Sequence, residues 1–264
     1  MFRQLYVGAT GMNALEQDMV VITNNVSNSK TTAFKKSRAE MENLFPQVLD
    51  EAVSEIDSET KRPAGIEFGS GVRVVSTPKD FAQGTPEITS NPLDLMIQGE
   101  GFFTVRMPDG TLAYTRAGNF HRDDAGNIVD PNGHILEPSI VIPQDVTGIR
   151  VSADGGMYVK ITNAMQENLI GQLSISKFSN PAGLESIGQN LYRDSLSSGE
   201  AAEGVPGKDG FGTIAQFSLE GSNVDIVDEM MKMIITQRAF DIISKSIQVG
   251  ENMLRSAIEI AKVT

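Results

Sequence analysis

The sequence contains no cysteine and no tryptophan, and only two histidines, His121 and His134. Without cysteine there is no disulfide, no thiolate metal site and no cysteine nucleophile. The two histidines lack the H-x-x-x-H spacing of a helical zinc site. No apolar run reaches the length that spans a bilayer. The start, MFRQLYVGATGMNALEQDM, lacks the uninterrupted apolar stretch and small-residue cleavage site of a secretory signal. A protein that neither inserts in a membrane nor loses a signal peptide is expected. Positive charge is scarce too. The net charge is −12 over 264 residues, which excludes a nucleic-acid partner held by general electrostatics.

Enzyme signatures are equally thin. GLESIG (183–188) has one residue too many before its serine for a nucleophile elbow. GEGFF (99–103) lacks the third glycine and the following helix of a dinucleotide loop, and its glycines read as a tight strand bend. DDAGNIVD lacks the ligand spacing of a calcium loop. Asp109, Asp123 and Asp124 offer a carboxylate pair for glycoside cleavage, but they stand in turn sequences, where Asp is expected anyway. Catalytic, cofactor and metal residues are therefore assigned to none of these positions.

What is present is apolar periodicity at both ends. Leu5, Met12, Met19 and Val26 recur every seven residues, with Leu15 and Ile22 on the neighbouring seam beside Gly8. The pattern predicts one helix of about 22 to 26 residues. Gly8 and Gly11 cost helix propensity and suit a site where another backbone approaches closely. At the other end Ile226, Met233, Phe240, Ile247, Leu254 and Ala261 hold six consecutive heptad positions without a proline. Ser222 or Asn223 is predicted to cap this helix. About 38 residues make a rod about 57 Å long. Two such helices at opposite ends of one chain can pair antiparallel as a coiled coil. An ordinary amphipathic helix on a globular core is the alternative for the first helix alone.

Between them the chain reads as β. RVVSTPKDF, LDLMIQ, FFTVRM, LAYTRA, IRVSA, MYVKI and GQLSISKF are short runs of β-branched and aromatic residues. Turn pairs such as Asp109-Gly110, Ala125-Gly126 and Asn132-Gly133 separate several of them and suit an antiparallel meander. The fold class is α+β, with terminal helices pairing as a coiled coil around a mainly antiparallel β domain. Boundaries fall at 1–38 (N-terminal helix and Asn-rich turn), 39–66 (connecting arm), 67–221 (β domain) and 222–264 (C-terminal helix). Residues 1–38 hold five Lys/Arg and two Asp/Glu, and 222–264 hold five and six, so the acidity sits in the middle. The arm carries an apolar patch, Leu44, Phe45, Val48 and Leu49, beside Pro46 and before an acidic run. A patch on the next subunit or a solvated loop over its own body are both open.

The stretch ITNNVSNSKTTAFKK (22–36) holds three asparagines at a helix end. Asparagine tolerates the left-handed conformation and bonds locally to backbone. Asn24, Asn25 and Asn28 can thus cap the helix and reach carbonyls of a neighbouring subunit, or serve as a cap alone. Lys30, Lys35 and Lys36 add charge near the helix's terminal carbonyls.

Thr23-Asn24-Asn25-Val26-Ser27-Asn28 followed by Thr32-Ala33-Phe34-Lys35 resembles the N-terminal pattern of the bacterial flagellar rod and hook proteins. Alanines are replaced by Thr23 and Ser27, and the usual glycine by Ala33. EMMKMIITQRAFDIISK, with Gln237-Arg238-Ala239-Phe240, is similar to that family's C-terminal helix, and IQGEGFFTV, YTRAGNF and GLESIGQNLY extend the likeness to nearly the whole chain. The length, the arm and GLESIGQNLY resemble the distal-rod type more than a hook subunit, which carries an extra outer domain; the other short rod protein with a β domain is the nearest rival.

The resemblance implies a structural subunit that polymerises with itself as the drive shaft carrying torque from motor to hook. It also implies contacts with adjacent rod and hook proteins and with the surrounding ring bushing. Export by the flagellar type III apparatus to a periplasm-spanning basal body follows, with no cofactor. The expected subunit interface is Leu5, Met12, Leu15, Met19, Ile22, Asn24, Asn25, Asn28, Phe34, Leu44, Phe45, Val48, Leu49, Ile226, Met233, Gln237, Phe240, Ile247 and Leu254. A cell-wall hydrolase of the same machine and a soluble secreted regulator are the competing function classes.

Overall fold

The computed structural model describes residues 2–50, 65–161 and 167–263. The chain forms two units: Met1–Val26 with Ser37–Pro78 and Asp225–Thr264, and Ser27–Lys36 with Lys79–Val224.

The first unit is built on two helices, α1 (Phe2–Ser27) and α2 (Ile226–Val263). Side-chain contacts run in opposite directions along the two. A Cβ at Gly8 would lie 2.9 Å from Ile247 Cγ1, and one at Gly11 would lie 3.3 Å from Ile243 Cδ1. Further along, Thr236 Oγ1 donates to Asp18 Oδ2 at 3.1 Å, and Asn25 meets Glu229. The helices therefore lie antiparallel. The two glycines do admit a close approach, but of isoleucine side chains rather than the expected backbone.

Asp225, not Ser222 or Asn223, caps α2. Its carboxylate accepts the N–H of Val227 at 2.9 Å and of Asp228 at 3.4 Å. A carboxylate at the cap also favours the positive end of the helix dipole.

Four short strands complete this unit: β1 (Glu40–Asn43), β2 (Gln47–Asp50), β3 (Ile66–Phe68) and β4 (Val72–Ser76). β1 pairs with β4 and β2 with β3, both antiparallel. The arm is thus a hairpin whose returning limb runs on to Ser76. The acidic run 51–64 lies outside the described residues.

The second unit carries, in chain order, β5 (Pro86–Ile88), β6 (Leu95–Gln98), β7 (Phe103–Arg106), β8 (Leu112–Thr115), β9 (His121–Arg122), β10 (Ile128–Val129), β11 (Ile135–Glu137), β12 (Val146–Val151), β13 (Gly156–Ile161) and β14 (Asn168–Gln172). β15 (Ile175–Lys177), β16 (Glu185–Gly188), β17 (Leu191–Arg193), β18 (Ala202–Gly204), β19 (Thr213–Gln216) and β20 (Ser218–Glu220) follow. Among the described residues the largest sheet has the order β16-β17-β8-β7-β11-β10-β9, and β12-β13-β14 form a second. Every pairing is antiparallel.

The expected meander is present in β9, β10 and β11, while β8 turns away to β7 and β17. Gly99 and Gly101 take positive φ in the bend between β6 and β7. Leu95, Ile97, Phe103, Val105, Phe120, Met157 and Ile175 form the fully covered core. Phe102, Tyr114, Phe178, Leu184 and Tyr192 make a second, aromatic cluster.

Candidate functional site

Asn25 is the key to the asparagine-rich stretch in the first unit. It is 2% exposed although it stands one turn from the end of α1. Its Nδ2 donates to the Ser37 carbonyl at 2.8 Å and to Glu229 Oε2 at 3.0 Å, and its Oδ1 accepts the Ser37 N–H at 3.0 Å. Glu229 is itself buried, and its Oε1 accepts from Lys232 Nζ at 2.6 Å. One amide therefore ties α1, the strand-like segment after the turn and the first turn of α2 together. It satisfies groups that burial would otherwise leave unpaired at a cost of about 1–3 kcal/mol each. The bonds this amide makes are inside the chain, to Ser37 and Glu229. Asn24 is exposed, and Asn28 Oδ1 accepts from Thr31 Oγ1 at 3.1 Å. None of the three is left-handed. The residue that is, with φ 57°, is Ala33.

In the second unit the turn docks through Lys35. Its side chain and that of Glu220 are both fully buried, with Nζ 2.5 Å from Oε1. Nζ also donates to the Ala82 carbonyl, and Glu220 Oε1 accepts the Gly84 N–H. Burial lowers the Lys35 pKa, and the Glu220 carboxylate opposes that shift. Lys35 is thus not a helix-end charge as expected but one half of an internal ion pair. Asn223 makes a second amide latch. It accepts the Lys36 N–H at 2.8 Å and donates to the carbonyls of Asp80 and Ala82. Phe34 is buried, with the Lys79 ammonium 5.6 Å above its ring.

The helix pair has two apolar faces. Leu5 packs near Gly250, Ile22 is buried, and Met12, Leu15, Met19, Met233, Phe240, Ile247 and Leu254 are half-buried. Ile226 and Gln237 are exposed. Ile235, Ile242 and Val249, spaced by seven, are also exposed, at 64%, 68% and 53%. Ile242 and Val249 follow Phe240 and Ile247 by two residues, about 200° around the helix. The second stripe therefore lies opposite the first. Monomeric helices normally present a polar outer face. On the arm, Leu44 lines a groove with Tyr6, Thr10 and Asn13 of α1, whereas Phe45, Val48 and Leu49 are exposed.

Three family descriptions match the chain. "Flagella basal body rod protein" covers residues 5–35, "Flagellar hook protein FlgE/F/G D1 domain" covers 96–159, and "Flagellar basal body rod FlgEFG protein C-terminal" covers 215–260. The flagellar basal-body rod protein FlgG of Caulobacter vibrioides is 40% identical over 97% of this chain and 98% of its own. That of Borreliella burgdorferi is 41% identical over 96% and 97%, and that of Buchnera aphidicola from Acyrthosiphon pisum is 41% identical over 97% and 98%. The chain belongs to the flagellar basal-body rod protein family. It is a structural subunit of the rod and not an enzyme.

For this family member the N-terminal match ends at residue 35, where Lys35 enters its ion pair. The matched C-terminal segment contains both Glu220 and Glu229. Asn25 stands out in the sequence, but its partners Ser37 and Glu229, and the Lys35 partner Glu220, do not. Among the described residues no group of His, Cys, Asp and Glu is placed to hold a metal, and no helix is long and apolar enough to cross a membrane.

Proposed function

We propose that the chain polymerises with copies of itself into the distal rod, the shaft that transmits torque from motor to hook. The observation that carries this reading is the second apolar stripe on α2. A side chain such as Ile242 contributes roughly 1.5–3 kcal/mol when covered. The stripe runs from Ile235 to Val249, alongside most of the covered stripe from Met233 to Leu254. Copies of the same helix pair are the simplest cover, and head-to-tail repetition gives an open helical tube.

Coiled-coil supercoiling of α1 with α2 belongs to the same proposal, supported by the heptad spacing of both helices. So does a stiffening role for the arm, whose exposed Phe45, Val48 and Leu49 tie neighbouring subunits outside the tube. Adjacent rod and hook proteins at the two ends, the surrounding ring bushing, a periplasm-spanning position, and type III export without signal cleavage complete the reading. Their support is family membership.

Ile242→Glu tests it. The expected result is a folded chain that no longer sediments as polymer at concentrations where the wild type does. Undiminished polymer from Ile242→Glu would remove the outer stripe from the interface.

A further inference from the structure

A pocket of about 400 Å³ opens in the second unit between the bend at Glu100–Gly101 and the end of β15. Its walls include Phe81, Phe102 and Phe178, with Phe102 at 5.6 Å from each of the others, edge to face. Two cations line it. Arg116 is 5% exposed, with its guanidinium 5.4 Å from the Phe102 ring and its Nη2 donating to the Gly99 carbonyl. Lys177 stands half-exposed, 2.5 Å from Glu100.

Behind the wall Lys35 and Arg116, both buried, share one buried carboxylate, Glu220, while Asp80 and Glu100 act on them from farther off. Lys35 takes Oε1 as a close pair. Arg116 Nη1 reaches Oε2 only at 3.6 Å, and neither that oxygen nor Arg116 Nε has a hydrogen-bond partner. Arg116 is thus only loosely paired, with Nη1 and Nη2 turned to the Ile97 and Gly99 carbonyls and Nε–H unpaired, and an anion beside it is favoured. At the rim, Lys177 is held by a carboxylate that is 70% exposed and free to be exchanged for another.

We infer that this pocket receives a carboxylate presented by a second copy of this chain, which pairs with Lys177 and Arg116 while its stem rests on the phenyl rings. The occupant rests on the self-assembly reading above. Copies carrying −12 each repel one another. A cationic recess on every copy converts part of that repulsion into a directed contact, and the acidic surface of the neighbour supplies carboxylates.

The test uses the full chain and phenylacetate, a carboxylate on an aromatic stem. In dilute monomer, NMR should show the Arg116 Nε–H and the Lys177 side-chain resonances shifting on titration, and Lys177→Gln should weaken the response. In assembly, Lys177→Gln and added phenylacetate should each raise the critical concentration by about fivefold, whereas Glu100→Gln, which frees Lys177, should lower it. Melting temperature reports folding for each variant, since Lys177 and Glu100 are surface residues. No resonance shift in the monomer overturns the pocket. Shifts accompanied by an unchanged critical concentration overturn the neighbour as occupant and leave a site for free acids. A chain that binds phenylacetate but never polymerises overturns the self-assembly reading and, with it, the occupant.

Discussion

Ala33 occupies the left-handed region with φ 57° while only 1% exposed, and its N–H donates to the Glu220 carbonyl at 2.7 Å. That conformation costs an L-residue about 1–2 kcal/mol. Ala33→Gly should therefore stabilise the second unit by about 0.5–1 kcal/mol, after allowing for the extra freedom glycine gives the unfolded chain. A urea midpoint moved upward with an unchanged slope is the expected outcome, and an unmoved midpoint would show that the turn holds no strain. Asn25→Asp makes the opposite case. It is nearly isosteric, but it removes both Nδ2 donations and sets a carboxylate against buried Glu229. The expected loss is about 2–4 kcal/mol at pH 7. The introduced carboxyl has a raised folded-state pKa, so stability should recover as pH falls and the group protonates. A loss that persists unchanged at pH 5 would contradict the pairing. The asparagine cluster was legible in the sequence, but its partners were not. Ser37 is 12 residues from Asn25 and Glu229 is 204 residues away, and no local pattern marks either.

Among the elements, the two helices were legible because their heptads are long enough to outweigh single exceptions such as Gly8. The cap of α2 was misplaced by two or three residues because Ser222, Asn223 and Asp225 all have capping chemistry, and tertiary contacts decide between them. Asn223 is drawn off to Lys36, Asp80 and Ala82. Strands rich in β-branched and aromatic residues, such as β7 and β13, were legible too. β1 (EMEN), β5 (PEI) and β18 (AEG) were not, since strand propensity is absent and pairing alone makes them strands. The arm shows the same effect, a hairpin where a connecting arm was expected. Phe45, 95% exposed on it, gives a direct test of stiffening. If it ties adjacent subunits, Phe45→Ser should still polymerise but give filaments of measurably higher curvature by electron microscopy. Filaments as straight as the wild type would show that Phe45 makes no such tie.

At the scale of the whole molecule, charge and apolarity are separated along the chain. Most of the excess acid lies between the helices, which leaves α1 and α2 near neutral and able to bring several copies together. The sequence showed that both helices are apolar. It could not show which stripe the chain covers for itself, because a heptad names a face but not its partner. The structure makes that division, with Ile247 against Gly8 and Ile242 outward. The absence of cysteine permits a clean measurement of what covers the outward stripe. A single Ile242→Cys substitution, labelled with a benzophenone maleimide and irradiated in assembled basal bodies, should yield covalent dimers of this chain. Monomer alone, or crosslinks only to a different protein, would contradict the claim that copies of this chain pack on that face.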